Sequence, residues 1–391
     1  MKVMVLGSDG YIGHTLTKVL LEDGHMVTGV DNYSRRGRVS IVGSNSLTPI
    51  ESIMERHITL RQKYLSNYNS LNYTLGKSYI HVKEAIRSFQ PECIVHLAEQ
   101  PSAPWSMINN RNAAETQHEN VIGTLDILWA MREVCPDAHL LKLGTMGEYG
   151  TPNCVIPEGD IPGRCIGAPT DHTQVSDCPM SGLPFPKSPG SFYHLSKVHD
   201  THNITFACKN WGLSSTDIMQ GVVYGVKVNP DENDNLTRFD YDEYFGTAIN
   251  RFCAQAIIGH PLTVYGKGKQ TRGFLPLKDS IQCLLLAMTN PPDKGEYRVF
   301  NQFEDIYSIN TLANIVCHEA SQLGLNVSIE HIPNPRKEME EHYYLPDHNK
   351  LRKLGYHSSN IHNCIRDLLI DILPYKDRVN KEVILPVTTW E

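Results

Sequence analysis

The chain opens on an unbroken apolar run, Val3-Met4-Val5-Leu6, that stops at Gly7. From Tyr11 the period changes. Ile12, Leu16, Val19 and Leu20 recur at helical spacing, and the pattern ends at Asp23-Gly24, with glycine where helices commonly stop. His25–Asp31 (HMVTGVD) is a second extended run, so the start of the chain predicts a parallel strand–helix–strand unit. The alternation continues downstream. A helical stretch at Val82–Phe89 precedes the apolar run Cys93–Leu97, one at Val121–Glu133 precedes Leu140–Gly144, and one starting near Tyr193 precedes Thr216–Gln220. This is an α/β pattern: a Rossmann-type doubly wound parallel sheet that binds ligands at the carboxyl ends of its strands.

Two segments break the rhythm. Residues 35–75 are too long for a simple crossover, and residues 152–190, rich in Pro, Gly, Ser and Thr, read as a long loop. Lying just before Tyr193, that loop either covers a pocket or is a decorative insertion. After about residue 225 the alternation gives way to short strands and turns such as Tyr265-Gly266-Lys267-Gly268. The expected division is a larger domain, 1–225, and a smaller C-terminal substrate-binding lobe, 226–391, with the segment near 274–302 returning to the larger domain.

Composition narrows the class. A net charge of -7, with acids and bases mixed along the chain, argues against a nucleic-acid or anionic-membrane partner. No apolar run reaches the roughly 18–20 residues that span a bilayer. The first strand begins at once, which leaves no room ahead for a signal or transit peptide, and the chain is expected to stay in the cytoplasm. The 10 cysteines are scattered without a C-x-x-C pair, so free thiols are expected and neither a disulfide framework nor a metal site.

Candidate chemistry begins at Gly7-Ser8-Asp9-Gly10-Tyr11-Ile12-Gly13, a G-x-x-G-x-x-G run between strand and helix. Glycines there permit a tight turn and close backbone approach to a pyrophosphate, which then rests on the helix N-terminus. Asp31, at the end of the second strand, is placed to accept hydrogen bonds from ribose hydroxyls and to repel a 2′-phosphate, so the cofactor is read as NAD. Tyr11, Ile12 and Asn32 join Gly7, Gly10 and Gly13 in this set. Arg35, Arg36 and Arg38 could instead meet the extra phosphate of NADP, stack on adenine, or form a solvated basic turn.

Tyr193-His194-Leu195-Ser196-Lys197 is a Y-x-x-x-K pattern, which on a helix brings the ammonium near the phenol and favours a phenolate base. Lys197 could also hold a nicotinamide ribose. Tyr73/Lys77, Tyr79/Lys83 and Tyr265/Lys269 share the spacing. Only Tyr193 follows a strand ending in a hydroxyl, Thr145, so Thr145, Tyr193 and Lys197 are the candidate hydride-transfer set.

With these residues assembled, the chain resembles the extended short-chain dehydrogenase/reductase family, whose later landmarks look like Arg272-Gly273-Phe274 with Asp279 and Phe300-Asn301. The resemblance narrows to the sugar-nucleotide branch that forms UDP-sulfoquinovose. It rests on Ser46-Leu47-Thr48-Pro49-Ile50, Gly144-Thr145-Met146-Gly147-Glu148-Tyr149-Gly150, the stretch from Ser191 to Asp200, Gln220-Gly221-Val222-Val223-Tyr224-Gly225, Gln270-Thr271-Arg272, Asn334-Pro335-Arg336 and Glu341-His342-Tyr343-Tyr344. The resemblance implies UDP-glucose and sulfite as substrates, with oxidation at C4, elimination across C5 and C6, sulfite addition at C6 and re-reduction. It also implies a homodimer and tightly held NAD.

Related dehydratases carry Asp-Glu after the threonine. Here Met146 and Gly147 stand there, which leaves Glu148 and His194 as the proton carriers beside Met146. Gln220 and His342 for the substrate and Asn120 for the cofactor come from the resemblance. Arg272 and Arg336 suit a diphosphate because a guanidinium grips two oxygens, unless each is a surface ion pair. Two departures are evident. Pro101 replaces the branch's usual Arg, and Thr74-Leu75 replaces its Gly-Asp after strand three. A UDP-sugar 4-epimerase, a 4,6-dehydratase and a non-catalytic dinucleotide sensor remain the alternative readings.

Overall fold

The computed structural model describes residues 1–162, 182–229, 236–335 and 345–385. In chain order the first half runs β1 (Lys2–Leu6), α1 (Tyr11–Glu22), β2 (Met26–Asp31), α2 (Ser34–Ile41), α3 (Ile53–Tyr64), β3 (Tyr68–Asn72), α4 (Tyr79–Phe89), β4 (Cys93–His96), α5 (Ala103–Ser106), α6 (Asn110–Gln117), α7 (Gly123–Val134) and β5 (His139–Thr145). Three two-residue strands follow, β6 (Val155–Ile156), β7 (Ile161–Pro162) and β8 (Gly182–Leu183), then α8 (Phe192–Trp211), β9 (Ser214–Gln220) and β10 (Val222–Tyr224). The remainder comprises α9 (Ala248–Ile257), β11 (Leu262–Tyr265), β12 (Thr271–Pro276), α10 (Leu277–Thr289), β13 (Tyr297–Gln302), β14 (Asp305–Ser308), α11 (Ile309–Gln322), β15 (Ile329–Ile332), β16 (Leu345–Pro346), α12 (Lys350–Lys353) and α13 (Ile361–Ile372).

Seven strands make one parallel sheet in the order β13-β9-β5-β4-β1-β2-β3. Alternation along β1 sends its side chains to two separate cores. Val3 and Val5 pack with Leu16 and Leu20 of α1 and with Ile281 and Leu284 of α10. Met4 and Leu6 pack with Val82 and Ile86 of α4, Ile127 of α7 and Ile204 of α8. Helices on both faces are why the central strands read as continuous apolar runs. The chain turns back between β1 and β4, and a ligand crevice opens at such a switch point.

The strand β3 is the exception to that legibility. Its sequence YNSLN is mostly polar because it is an edge strand, paired only with β2. The segment 35–75, read from sequence as an overlong crossover, therefore contains α2, α3 and this strand. In the 152–190 stretch, β6 pairs with β16 and β7 with β8, while residues 163–181 lie outside the described residues.

After β10 the chain builds a second core from α9, α11 and α13, including Phe252, Leu312 and Ile365. A three-stranded sheet, β10-β12-β14, joins it to the main sheet, to which α10 and β13 return. Among the described residues no helix is long and apolar enough to cross a membrane, and no cluster of side chains could hold a metal ion.

Candidate active site

A cavity of about 740 Å³ opens at the carboxyl ends of β1, β4, β5 and β9. Its floor begins at the glycine run. Gly7 has φ +86°, and a Cβ there would lie 2.7 Å from the Leu97 carbonyl; a Cβ at Gly13 would lie 2.0 Å from Gly7 O. Only bare backbone fits. No side chain caps α1 at Gly10 and no acid stands in its first turn, so its N–H groups are open to an anion. Asp31 closes this end of the cavity. Its carboxylate accepts the N–H groups of Asp9 (2.8 Å) and Tyr33 (2.6 Å), and burial raises its pKa. Gly10, Tyr11, Ile12, Asp31 and Asn32 all line the cavity. A glycine cradle, an uncapped helix start and a fixed acid are the features a dinucleotide needs, so the residues fit one.

The basic turn behaves differently from expectation. Arg36 does not line the cavity. Its guanidinium folds back on Asp9 (2.6 Å), whose other oxygen is held by Arg56 (2.6 Å). Arg35 lines the cavity but pairs with Asp240 (2.7 Å) and lies 4.0 Å from the Phe245 ring centroid. Arg38 binds both oxygens of Glu119 at 2.7 Å. Each guanidinium is matched by an acid, which leaves no open phosphate trap of the kind NADP uses. Asn120 also needs correction. It is fully buried, bonded to the Gln100 backbone (2.8 Å and 3.2 Å) and to Ser196 Oγ (2.8 Å), and it braces the wall from behind.

At the other end, Thr145 closes β5 and Tyr193 stands in the first turn of α8, whose start is capped by Ser191. The Thr145 hydroxyl hydrogen-bonds the Tyr193 side chain. Burial pushes the Tyr193 phenol up to about 12, with Lys142 opposing. Lys197, one turn on, donates to Leu143 O (2.7 Å), pairs with Glu99, and sits 5.8 Å from the Tyr193 ring centroid. Burial lowers its pKa to about 8, against the pull of Asp200 and Asp217. Sequence reasoning missed two of these residues: Glu99, an acid directly after the apolar run of β4, and Lys142, a cation inside the apolar run of β5.

The proton carriers separate. His194 lines the cavity, with Nδ1 3.0 Å from Ser191 Oγ and its ring against Gly147, where a Cβ would lie 2.4 Å from Nε2. Met146 lines it as well. Glu148 does not, contrary to its reading as the acid nearest the substrate. The short turn Met146–Glu148 directs it beneath the sheet end, where it is fully buried and accepts from Lys187 Nζ (2.5 Å) and Thr201 Oγ1 (3.1 Å). Burial raises its pKa. On the far side, Gln220 and Arg272 line the cavity, and the Gln220 amide donates to Ser280 Oγ (3.0 Å) and Gln302 Oε1 (2.9 Å). Pro101, Thr74 and Leu75 are on the wall. Arg336 and His342 lie outside the described residues. The second lobe contributes Asp240, Tyr244 and Phe245, the last packed on Trp105 at 5.5 Å.

Comparison with known proteins agrees with this geometry. The model of the NAD dependent epimerase/dehydratase family matches residues 3–301. The chain is 46% identical over 395 residues to the chloroplastic UDP-sulfoquinovose synthase of Spinacia oleracea, covering 100% of this chain and 79% of that protein. It is 43% identical over 396 residues to the UDP-sulfoquinovose synthase of Sulfolobus acidocaldarius, covering 100% and 98%. Among solved structures, UDP-glucose 4-epimerase of Thermotoga maritima superposes with a TM-score of 0.68 at 19% identity, covering 95% of this chain and 98% of that one. UDP-glucuronic acid 4-epimerase of Bacillus cereus gives 0.67 at 19% identity, covering 97% and 99%. The solved structures share the fold, and the sequence relatives share the length as well.

Proposed function

The chain belongs to the NAD-dependent epimerase/dehydratase family, and we propose that within it the chain converts UDP-glucose and sulfite into UDP-sulfoquinovose. The observation that carries this reading is the full-length match to two synthases of that product. NAD, held by Gly7, Gly10, Gly13 and Asp31, supplies a hydride acceptor that is restored within each turnover. Tyr193 takes the proton of the C4 hydroxyl, with Thr145 sharing its hydrogen bond and Lys197 fixed beside it. The resulting C4 ketone acidifies the C5 proton, and loss of that proton with the C6 hydroxyl leaves an acceptor for sulfite at C6.

We assign the proton work of the elimination to His194, the titratable group on the cavity wall next to Met146 and Gly147. Glu148 acts from behind that wall. Arg272 and Gln220 are assigned to the nucleotide end, and sulfite is handled without a guanidinium from position 101. Incubation with UDP-glucose, with and without sulfite, followed by mass spectrometry tests the reading. A sulfonated UDP-hexose formed only with sulfite is the expected result. Conversion to UDP-galactose without a sulfonated product would replace the reading with a 4-epimerase.

We further propose a homodimer. The outer faces of α7 and α8 expose Trp129 and Phe206, Trp129 packs on Trp211 at 4.8 Å, and the Arg132 guanidinium lies over both indoles. An apolar face of this kind calls for a cover. Phe206→Asp is expected to shift the mass measured by size-exclusion light scattering from dimer to monomer; an unchanged dimer rejects this face. The cysteines among the described residues are all free, which supports a reducing compartment such as the cytoplasm.

A further inference from the structure

The layer between α8 and the sheet holds charge where apolar residues ordinarily pack. Lys142 stands in β5 between leucines, fully buried, in register with Asp217 of β9, so both side chains leave the same face of the sheet. Its Nζ lies 3.5 Å from Asp200 Oδ2, and no hydrogen-bond partner reaches it. Opposite, α8 presents Tyr193, Lys197, Asp200 and Thr201 along one stripe of helical spacing. Asp217 Oδ2 accepts from Thr201 Oγ1 (3.0 Å) and Tyr297 OH (2.9 Å). Burying an ammonium costs several kcal/mol unless its surroundings compensate, so such a group calls for a reason.

The charges around Tyr193 supply one. Its own helix brings His194, Lys197 and Asp200. The strand β5 and its turn bring Lys142 and Glu148, and β9 brings Asp217. The exit of β4 brings Glu99 and His96, and the segment before α8 brings Lys187. Burial holds His96 neutral, with a pKa far below its usual value. Glu99 pairs with Lys197, the cation that the Y-x-x-x-K spacing provides, and Glu148 pairs with Lys187. Asp200 and Asp217 remain, and Lys142 is the cation set against them.

We propose that Lys142 is a positioning residue whose buried ammonium offsets Asp200 and Asp217, so that negative charge can form on Tyr193. The proposal rests on the reading of Tyr193 as the base. The ionisation of Tyr193 follows the same arrangement: after burial, the largest influence on it is Lys142, which favours phenolate, whereas Glu148 and Asp200 oppose it. A base of this kind works only when deprotonated, so turnover falls as pH drops through the phenol pKa. Removing Lys142 raises that pKa and moves the acid limb upward.

The test uses the NAD-loaded holoenzyme carrying Lys142→Met or Asp200→Asn. Two quantities are read: the pH profile of kcat, and the phenolate absorbance near 295 nm taken as the difference from Tyr193→Phe. Lys142→Met is expected to move both midpoints up by about one unit or more, which is about a tenfold loss of turnover below the limb for each unit. Asp200→Asn removes an opposing acid and is expected to move both down. A uniform loss with unmoved midpoints, or shifts of the two variants in the same direction, overturns the proposal. If Lys142→Met fails to fold, Asp200→Asn decides alone: a downward shift supports the proposal and an unmoved midpoint rejects it. A Tyr193→Phe variant that retains turnover rejects the underlying base assignment instead.

Discussion

Tyr193→Phe is expected to lower turnover of UDP-glucose by about 10²–10⁴-fold, the range for losing a general base, while the protein keeps its NAD and its fold. The substitution removes one oxygen from a position where the ring is already held by its own helix. The Tyr193 backbone N–H donates to Ser106 Oγ (3.1 Å), and Lys197 keeps Leu143 O and Glu99 as partners without the phenol. The loss therefore belongs to chemistry rather than to packing. Steady-state rates, together with the NAD content of the purified variant, measure it. A variant that retains more than about a tenth of wild-type turnover moves the base elsewhere in the cavity.

Gly13→Ala is expected to have the second largest effect. The added methyl would stand 2.0 Å from Gly7 O and 2.8 Å from its carbonyl carbon, atoms of a backbone turn that cannot give way as a flexible side chain does. Forcing α1 away from β1 costs about 1–3 kcal/mol by analogy with overpacked cores. The same displacement spoils the cradle under the pyrophosphate. NAD retention should weaken by about tenfold or more, since each 1.4 kcal/mol is a factor of ten in affinity. The NAD-to-protein ratio after purification and a thermal melt read the two effects separately. Gly37→Ala is the control: nothing lies within 4 Å of a Cβ there, its φ is ordinary, and it sits in α2, where Ala is the better helix former. Equal losses in both variants would mean that the turn at Gly7 is not under the steric limit described.

What could be read from the sequence, and what could not, follows from the kind of force involved. The β1–α1–β2 unit was legible because strands buried on both faces must be apolar throughout and because a close backbone approach admits only glycine. The strand β3 was not, since an edge strand with one neighbour carries no such constraint and spells YNSLN. Thr145, Tyr193 and Lys197 were legible because strand ends and helical spacing put them on one wall. Glu148 was misread because nearness in sequence to Thr145 says nothing about which side of the wall a short turn delivers. Arg36 and Asn120 were misread for a related reason: hydrogen-bonding groups take the partners that tertiary packing brings, here Asp9 and Gln100, and those partners lie far along the chain. Glu99 and Lys142 left a signal, each an ionised residue beside or inside an apolar strand. Its meaning appeared only once the two strands and α8 stood side by side.

The ion pair between Arg35 and Asp240 joins α2 of the larger lobe to a segment of the smaller one, and both residues face the cavity. A molecule seated there touches both halves of the protein and serves as a third party to their junction. By mass action its occupancy tightens that junction in proportion to RT ln(1 + [L]/Kd). The loaded chain is thus a mechanically different object from the empty one, with its two lobes fastened by the cofactor they enclose.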